Sequence, residues 1–103
     1  MGKNWYIGRS KIHGLGVLSL RDIEVNEPID IALMFLSPNY FEISNNFGKY
    51  INHKSYPDDN SHLSKRGNKW VLVSSRKIIK NEEIVLDYDK LPPFLKRSEK
   101  HFK

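Results

Sequence analysis

The sequence predicts a mainly β domain built of small sheets, and three observations carry that prediction. Its apolar runs are short and rich in β-branched and aromatic side chains. Turn-forming residues interrupt those runs at close intervals. No stretch shows the sustained apolar periodicity of a long amphipathic helix. At 103 residues and 12.1 kDa, the chain makes one domain with a modest core that needs no staples.

The elements follow in order. Trp5-Tyr6-Ile7 reads as the first strand, and Gly14-Leu15-Gly16 turns the chain into a second, Gly16 to Leu20. A polar corner from Arg21 leads into Ile29-Asp30-Ile31-Ala32-Leu33, a third strand. Asn39 to Tyr50 leaves room for a helix, but Asn45-Asn46 and Gly48 favour short turns there. Trp70-Val71-Leu72-Val73 and Ile84 to Tyr88 complete the strands. Arg21 to Ile29 and Arg76 to Ile84 share the pattern R-x-I-x-x-N-E-x-I, so two similar strand-turn-strand corners are expected. Asn26 and Asn81 sit where each turn needs a left-handed backbone, which Asn tolerates best after glycine.

Composition narrows the chemistry. The absence of cysteine removes disulfides, thiolate metal sites and thiol nucleophiles, and fits an intracellular address, cytoplasmic or, in a eukaryote, nuclear. No apolar run approaches the ~18 residues that span a bilayer, and no signal peptide or membrane partner is expected. The four histidines lack metal-ligand spacing, so no metal is expected either. Charge alternates in blocks: residues 1–21 hold four bases and no acid, 22–59 seven acids and two bases, 60–80 six bases and no acid. The acidic block suits a groove for a basic peptide, and the basic blocks suit nucleic acid or an acidic partner.

Three motifs could carry chemistry. Gly14-x-Gly16 allows close backbone approach to a ligand, or simply a hairpin. Tyr50-Ile51-Asn52-His53 offers donors and acceptors for a heteroaromatic ring or a carboxylate, or a capped turn. Glu82-Glu83-Ile84-x-x-Asp87-Tyr88 ends a strand on an acid and a phenol pointing to opposite faces.

In their order and spacing the three motifs resemble the signature set of SET-domain protein-lysine methyltransferases, at this length the minimal viral type. The resemblance covers about residues 4–90 of a single domain 1–103, with residues 91–103 as a short tail after it. It implies a SET fold of small sheets with a C-terminal pseudoknot, and S-adenosylmethionine as cofactor. By the same resemblance, His13, Gly14, Leu15 and Gly16 meet the methionine part of the cofactor. Lys49, Tyr50, Asn52 and His53 hold its carboxylate, ribose and adenine, and Phe94 packs over the adenine or closes the channel. Tyr88 is implied as the catalytic residue, with Leu86 and Tyr40 in the lysine channel. Leu86, apolar and smaller than a ring, implies di- or trimethyl-lysine as product. The implied partner is a lysine-containing protein, basic and histone-like, with nucleic acid optional and a homodimer allowed. The alternative is a non-catalytic module of the same fold that binds nucleic acid or an acidic protein. The chain departs from the family pattern at Leu15, where an aromatic is common, and at Asn81, where a glycine is usual. It departs again after Asn52-His53, where Asp58 takes the place of an asparagine and Asn60 follows two residues on.

Overall fold

The computed structural model describes residues 4–37, 40–43 and 47–90, with backbone alone at 35–37, 40–41 and 90. Phe94, the tail 91–103 and the side chain of Tyr40 lie outside the described residues. The described residues form eight strands: β1 (Trp5–Arg9), β2 (Leu15–Ser19), β3 (Pro28–Ser37), β4 (Tyr40–Ile43), β5 (Asn52–His53), β6 (Ser61–Arg66), β7 (Lys69–Ser74) and β8 (Glu83–Leu86). They join in the order β1-β2-β8-β6-β7-β3-β4, with β5 also beside β8. Among the described residues the helical content is two short 3₁₀ turns, Gly48–Tyr50 and Tyr88–Lys90, and no helix is long and apolar enough to cross a membrane. The mainly β reading therefore holds.

Three differences from the sequence reading have physical causes. The segment between Asn39 and Tyr50 holds strand β4 as well as a turn, because β3 runs to Ser37 and pairs with it. Strand β6 went unread since Ser61-His62-Leu63-Ser64-Lys65-Arg66 has one aliphatic residue, and its pairing with β7 supplies what its own propensity lacks. Tyr88 does not end the last strand. Asp87 Oδ1 accepts the Asp89 amide at 2.9 Å, which turns the chain out of β8 and into the 3₁₀ turn that Tyr88 opens.

The two corners prove to be partners. Ile23 and Ile78, both fully buried, form an antiparallel bridge with amide-to-carbonyl distances of 2.7 and 2.8 Å. Asn26 and Asn81 adopt φ of 66° and 71°, as their turns require. Each corner is braced alike: Arg21 pairs with Glu27, and Arg76 with Glu82 at 2.6 Å. The bracing crosses between them, for Ser19 Oγ donates to the Ile79 carbonyl and Ser74 Oγ to that of Glu24. Strand pairing repeats the exchange, since β2 pairs β8 while β7 pairs β3. Around this frame pack Trp5, Val17, Phe47, Ile51, Leu72 and Ile84, with the Trp5 and Phe47 rings 4.8 Å apart.

Candidate active site

The last strand gathers the site. β5 pairs β8 in parallel, Asn52↔Val85 and His53↔Leu86, and Ser61 at the start of β6 also pairs with Leu86. Between these contacts the Lys54 amide donates to the Leu86 carbonyl at 3.1 Å. Asn60, 1% exposed, clasps β8 twice: Nδ2 donates to the Glu83 carbonyl and Oδ1 accepts the Val85 amide, both at 2.8 Å. Residues 52–54 and 60–61 thereby flank β8, the close association of middle and last segments that a C-terminal pseudoknot requires.

Asn52 ties the middle motif to the first. It is buried, and its Nδ2 lies 3.1 Å from the His13 carbonyl, 3.2 Å from the Leu15 carbonyl, 2.9 Å from Glu83 Oε2 and 3.1 Å from Ser10 Oγ. Ser10 organises the loop beneath. Its Oγ accepts the amides of Ile12 and His13, at 2.8 and 3.1 Å, and donates to the Glu83 carboxylate at 2.9 Å. The two glycines answer different demands. Gly14 has φ of +49° with open space around it, so its need is conformational. At Gly16 a Cβ would stand 2.3 Å from Glu83 Oε2 and 3.1 Å from Asn52 Nδ2, so its need is room.

Tyr88 closes the site from the other end of the chain. Its hydroxyl donates to the Ile51 carbonyl at 2.5 Å, and its amide donates to His53 Nδ1 at 2.9 Å. That second bond requires a lone pair on Nδ1, which leaves Nε2 to donate to Ser55 Oγ at 3.2 Å. The His53 and Tyr88 rings lie 5.0 Å apart. Asp87, 5% exposed, accepts the Tyr56 amide at 3.0 Å and so anchors the segment after His53. Leu86 is 3% exposed and belongs to the core cluster beneath these residues.

His13, Leu15, Gly16, Asn52, His53 and Tyr88 thus form one connected set, although up to 75 positions separate them in sequence. Lys49 and Tyr50 sit on the 3₁₀ turn that leads into Ile51, with Lys49 Nζ 5.8 Å from the Tyr50 ring centre. Leu15 is half exposed and Tyr50 packs partly against the core. Glu83 also lines a separate cleft of about 300 Å³ with Arg9, Lys11, Lys54 and Asn60, which none of the expected cofactor residues among the described ones borders.

A sequence profile described as the SET domain matches residues 33–89. The chain belongs to the SET-domain family. No curated protein matches this SET domain. Among solved structures it is similar to a Plasmodium falciparum protein described as a putative histone methyltransferase, at 25% identity and a TM-score of 0.71. The similarity covers 88% of this chain and 97% of that one.

Sequence reasoning passed over Ser10, Glu83, Asp87 and the Ile51 carbonyl as parts of this SET-domain site. Glu83 and Asp87 were visible inside the last motif, whereas Ser10 and a main-chain oxygen carry no pattern of their own. The expected acidic groove is also reduced. Asp22 accepts the Lys80 amide, Glu24 lies near Lys77, Glu27 pairs Arg21 and Asp30 accepts the Trp5 indole, so four of its seven acids serve the frame.

Proposed function

We propose that this SET domain transfers methyl groups from S-adenosylmethionine to the ε-amine of a protein lysine and reaches di- or trimethyl-lysine. The observation that carries the reading is the run of contacts in which Tyr88 bonds Ile51 and His53 while Asn52, between those two, holds the His13 and Leu15 carbonyls of the Gly14-x-Gly16 loop. A binding module has no need of that constellation. The residues present fit the cofactor: the loop is exposed from His13 to Leu15 and open around Gly14, and the cationic Lys49 stands exposed for a carboxylate.

When bound, the cofactor supplies an electrophilic methyl group on a sulfonium. Asn52 fixes the loop carbonyls and so the wall that would hold the methionine part. The phenolic proton of Tyr88 is committed to Ile51, which leaves the oxygen lone pairs free to accept an N–H from a neutral lysine amine. That bond aims the nitrogen lone pair along the line of attack, an orientation effect worth roughly 7–11 kcal/mol at its best. A lysine amine of pKa ~10.4 must first lose a proton to solvent, at a cost of about 4–5 kcal/mol at neutral pH. Burial of the amine and a nearby positive charge both lower that cost. Leu86, apolar and in register with His53, offers no hydrogen bond to hold a methylated amine in one orientation, which supports further rounds.

The test is incubation with labelled S-adenosylmethionine and a lysine-rich basic protein, read by mass spectrometry of the protein product. Label on lysine supports the reading. Cofactor binding without any transfer across a panel of basic and acidic proteins would favour the binding module instead.

A further inference from the structure

We propose that His53 is a positioning residue for Tyr88 that works only while its ring is neutral: a proton taken up at Nδ1 moves that atom from the Tyr88 amide to the Asp87 carboxylate. The Tyr88 amide donates to Nδ1 at 2.9 Å, so Nδ1 must keep its lone pair. The neutral ring therefore carries its one proton on Nε2, directed at Ser55 Oγ 3.2 Å away. A second proton enters at Nδ1. Two N–H donors then face each other across 2.9 Å, and no flip of the ring relieves this, because both nitrogens of an imidazolium are donors.

An acceptor for the displaced N–H stands beside the ring. Asp87 Oδ1 lies 4.0 Å from Nδ1, outside hydrogen-bond reach while the ring is neutral. The carboxylate is fixed in place, for Oδ1 accepts the Asp89 amide at 2.9 Å and Oδ2 the Tyr56 amide at 3.0 Å. Each carboxylate oxygen has a second lone pair, so Oδ1 has room for Nδ1–H as well. A shift of about 1 Å by the ring completes that bond. The titratable groups around the ring are Asp87 after β8, Tyr88 with its ring 5.0 Å away and Asp89 on the 3₁₀ turn, and Lys54 beside it in the chain. The His53 side chain is 39% exposed, so solvent protons reach it, whereas that of Asp87 is 7% exposed.

The exchange acts on the phenol through the backbone. Tyr88 is held by its amide on His53 and by its hydroxyl on Ile51, and the cationic ring gives up the first of these. A reacting group misplaced by ~1 Å costs about a hundredfold in rate. Methyl transfer then slows as His53 gains its proton and recovers as the ring loses it. This consequence rests on the proposed methyl transfer, whereas the exchange of partners at Nδ1 does not.

NMR of the isotope-labelled protein, without cofactor or substrate, tests the exchange across about pH 5 to 8, the range in which histidine changes charge. The Tyr88 amide resonance should move with the same single-proton midpoint as the His53 ring, and not with the ring of His13 or His62, the other imidazoles among the described residues. His53→Asn puts an amide oxygen in place of Nδ1, an acceptor at every pH, so its Tyr88 amide should stay still. His62→Gln, on β6, should leave the Tyr88 titration as in wild type. In a methylation assay, wild-type kcat divided by that of His53→Asn should fall below the same midpoint, approaching about tenfold per pH unit, a change that loss of packing alone does not produce. The proposal is overturned if the Tyr88 amide does not titrate, if it follows His13 or His62, if it titrates unchanged in His53→Asn, or if the kcat ratio stays flat while it titrates. If neither protein turns over at any pH and the amide still follows His53, the exchange stands and the methyl-transfer reading falls.

Discussion

The Tyr88 hydroxyl donates to the Ile51 carbonyl at 2.5 Å, joining two residues 37 positions apart where the middle and last motifs meet. Because the Tyr88 amide also bonds His53, the ring is held at both its backbone and its phenol. Such a phenol is a positioned acceptor, and its orientation depends on the strand carrying Asn52.

Asn52 is accordingly expected to govern cofactor affinity through the loop. Asn52→Ala removes the Nδ2 donor from the His13 and Leu15 carbonyls and leaves Ser10 alone on the Glu83 carboxylate, and should weaken S-adenosylmethionine binding by about 1–3 kcal/mol. Titration calorimetry checks this, and an unchanged Kd in a folded variant would count against the loop as the methionine wall.

The two glycines should separate cleanly. Gly16→Ala places a methyl group 2.3 Å from Glu83 Oε2, so Glu83 and Asn52 must shift and cofactor binding should be largely lost. Gly14→Ala meets open space and costs only the left-handed backbone, about 1–2 kcal/mol of stability. Equal losses of binding in the two variants would show that crowding at position 16 is not the cause.

Acid should loosen the paired corners. Burial alone would raise the Glu82 carboxyl, but the Arg76 guanidinium and the Ile79 amide outweigh it and hold it below the usual carboxylate range. Arg21 and the Glu24 backbone lower Glu27 likewise. A carboxyl depressed in the folded state stabilises fully above its unfolded value, near 4.5, and loses that contribution as pH falls through the lower folded value. Melting temperature should therefore drop below about pH 4.5, and Glu27→Gln/Glu82→Gln should be less stable at neutral pH yet flatter in acid. A variant that melts with the wild-type acid profile contradicts this account of the corners.

Product number is expected to follow Leu86. Intact-mass time courses should show a second and a third methyl group on a good substrate, and a clean stall at one would sink the role given to Leu86. Leu86→Tyr should shift product toward monomethyl-lysine, with about 1–3 kcal/mol of overpacking cost because the leucine is 3% exposed.

The sequence carried the motifs further than it carried the geometry. Short apolar runs reveal β2, β7 and β8, and the asparagines at 26 and 81 announce their left-handed turns. Strand β6 stayed hidden because its partners, and not its own residues, make it a strand. The repeat of R-x-I-x-x-N-E-x-I was legible as two corners, but not their docking through Ile23 and Ile78, since contact between distant segments leaves no local trace. Ser10 was invisible for the same reason: one serine between Arg9 and Lys11 shows nothing of the carboxylate it meets 73 positions away.

Tyr88→Phe tests the central claim most directly, in a methylation assay read together with cofactor titration. The variant keeps its ring and its amide bond to His53 and loses only the hydroxyl on Ile51. With cofactor affinity nearly intact, kcat should fall about a thousandfold, equivalent to ~4 kcal/mol of transition-state stabilisation. A variant that retains more than about a third of wild-type kcat would contradict the account and leave Tyr88 as a packing residue.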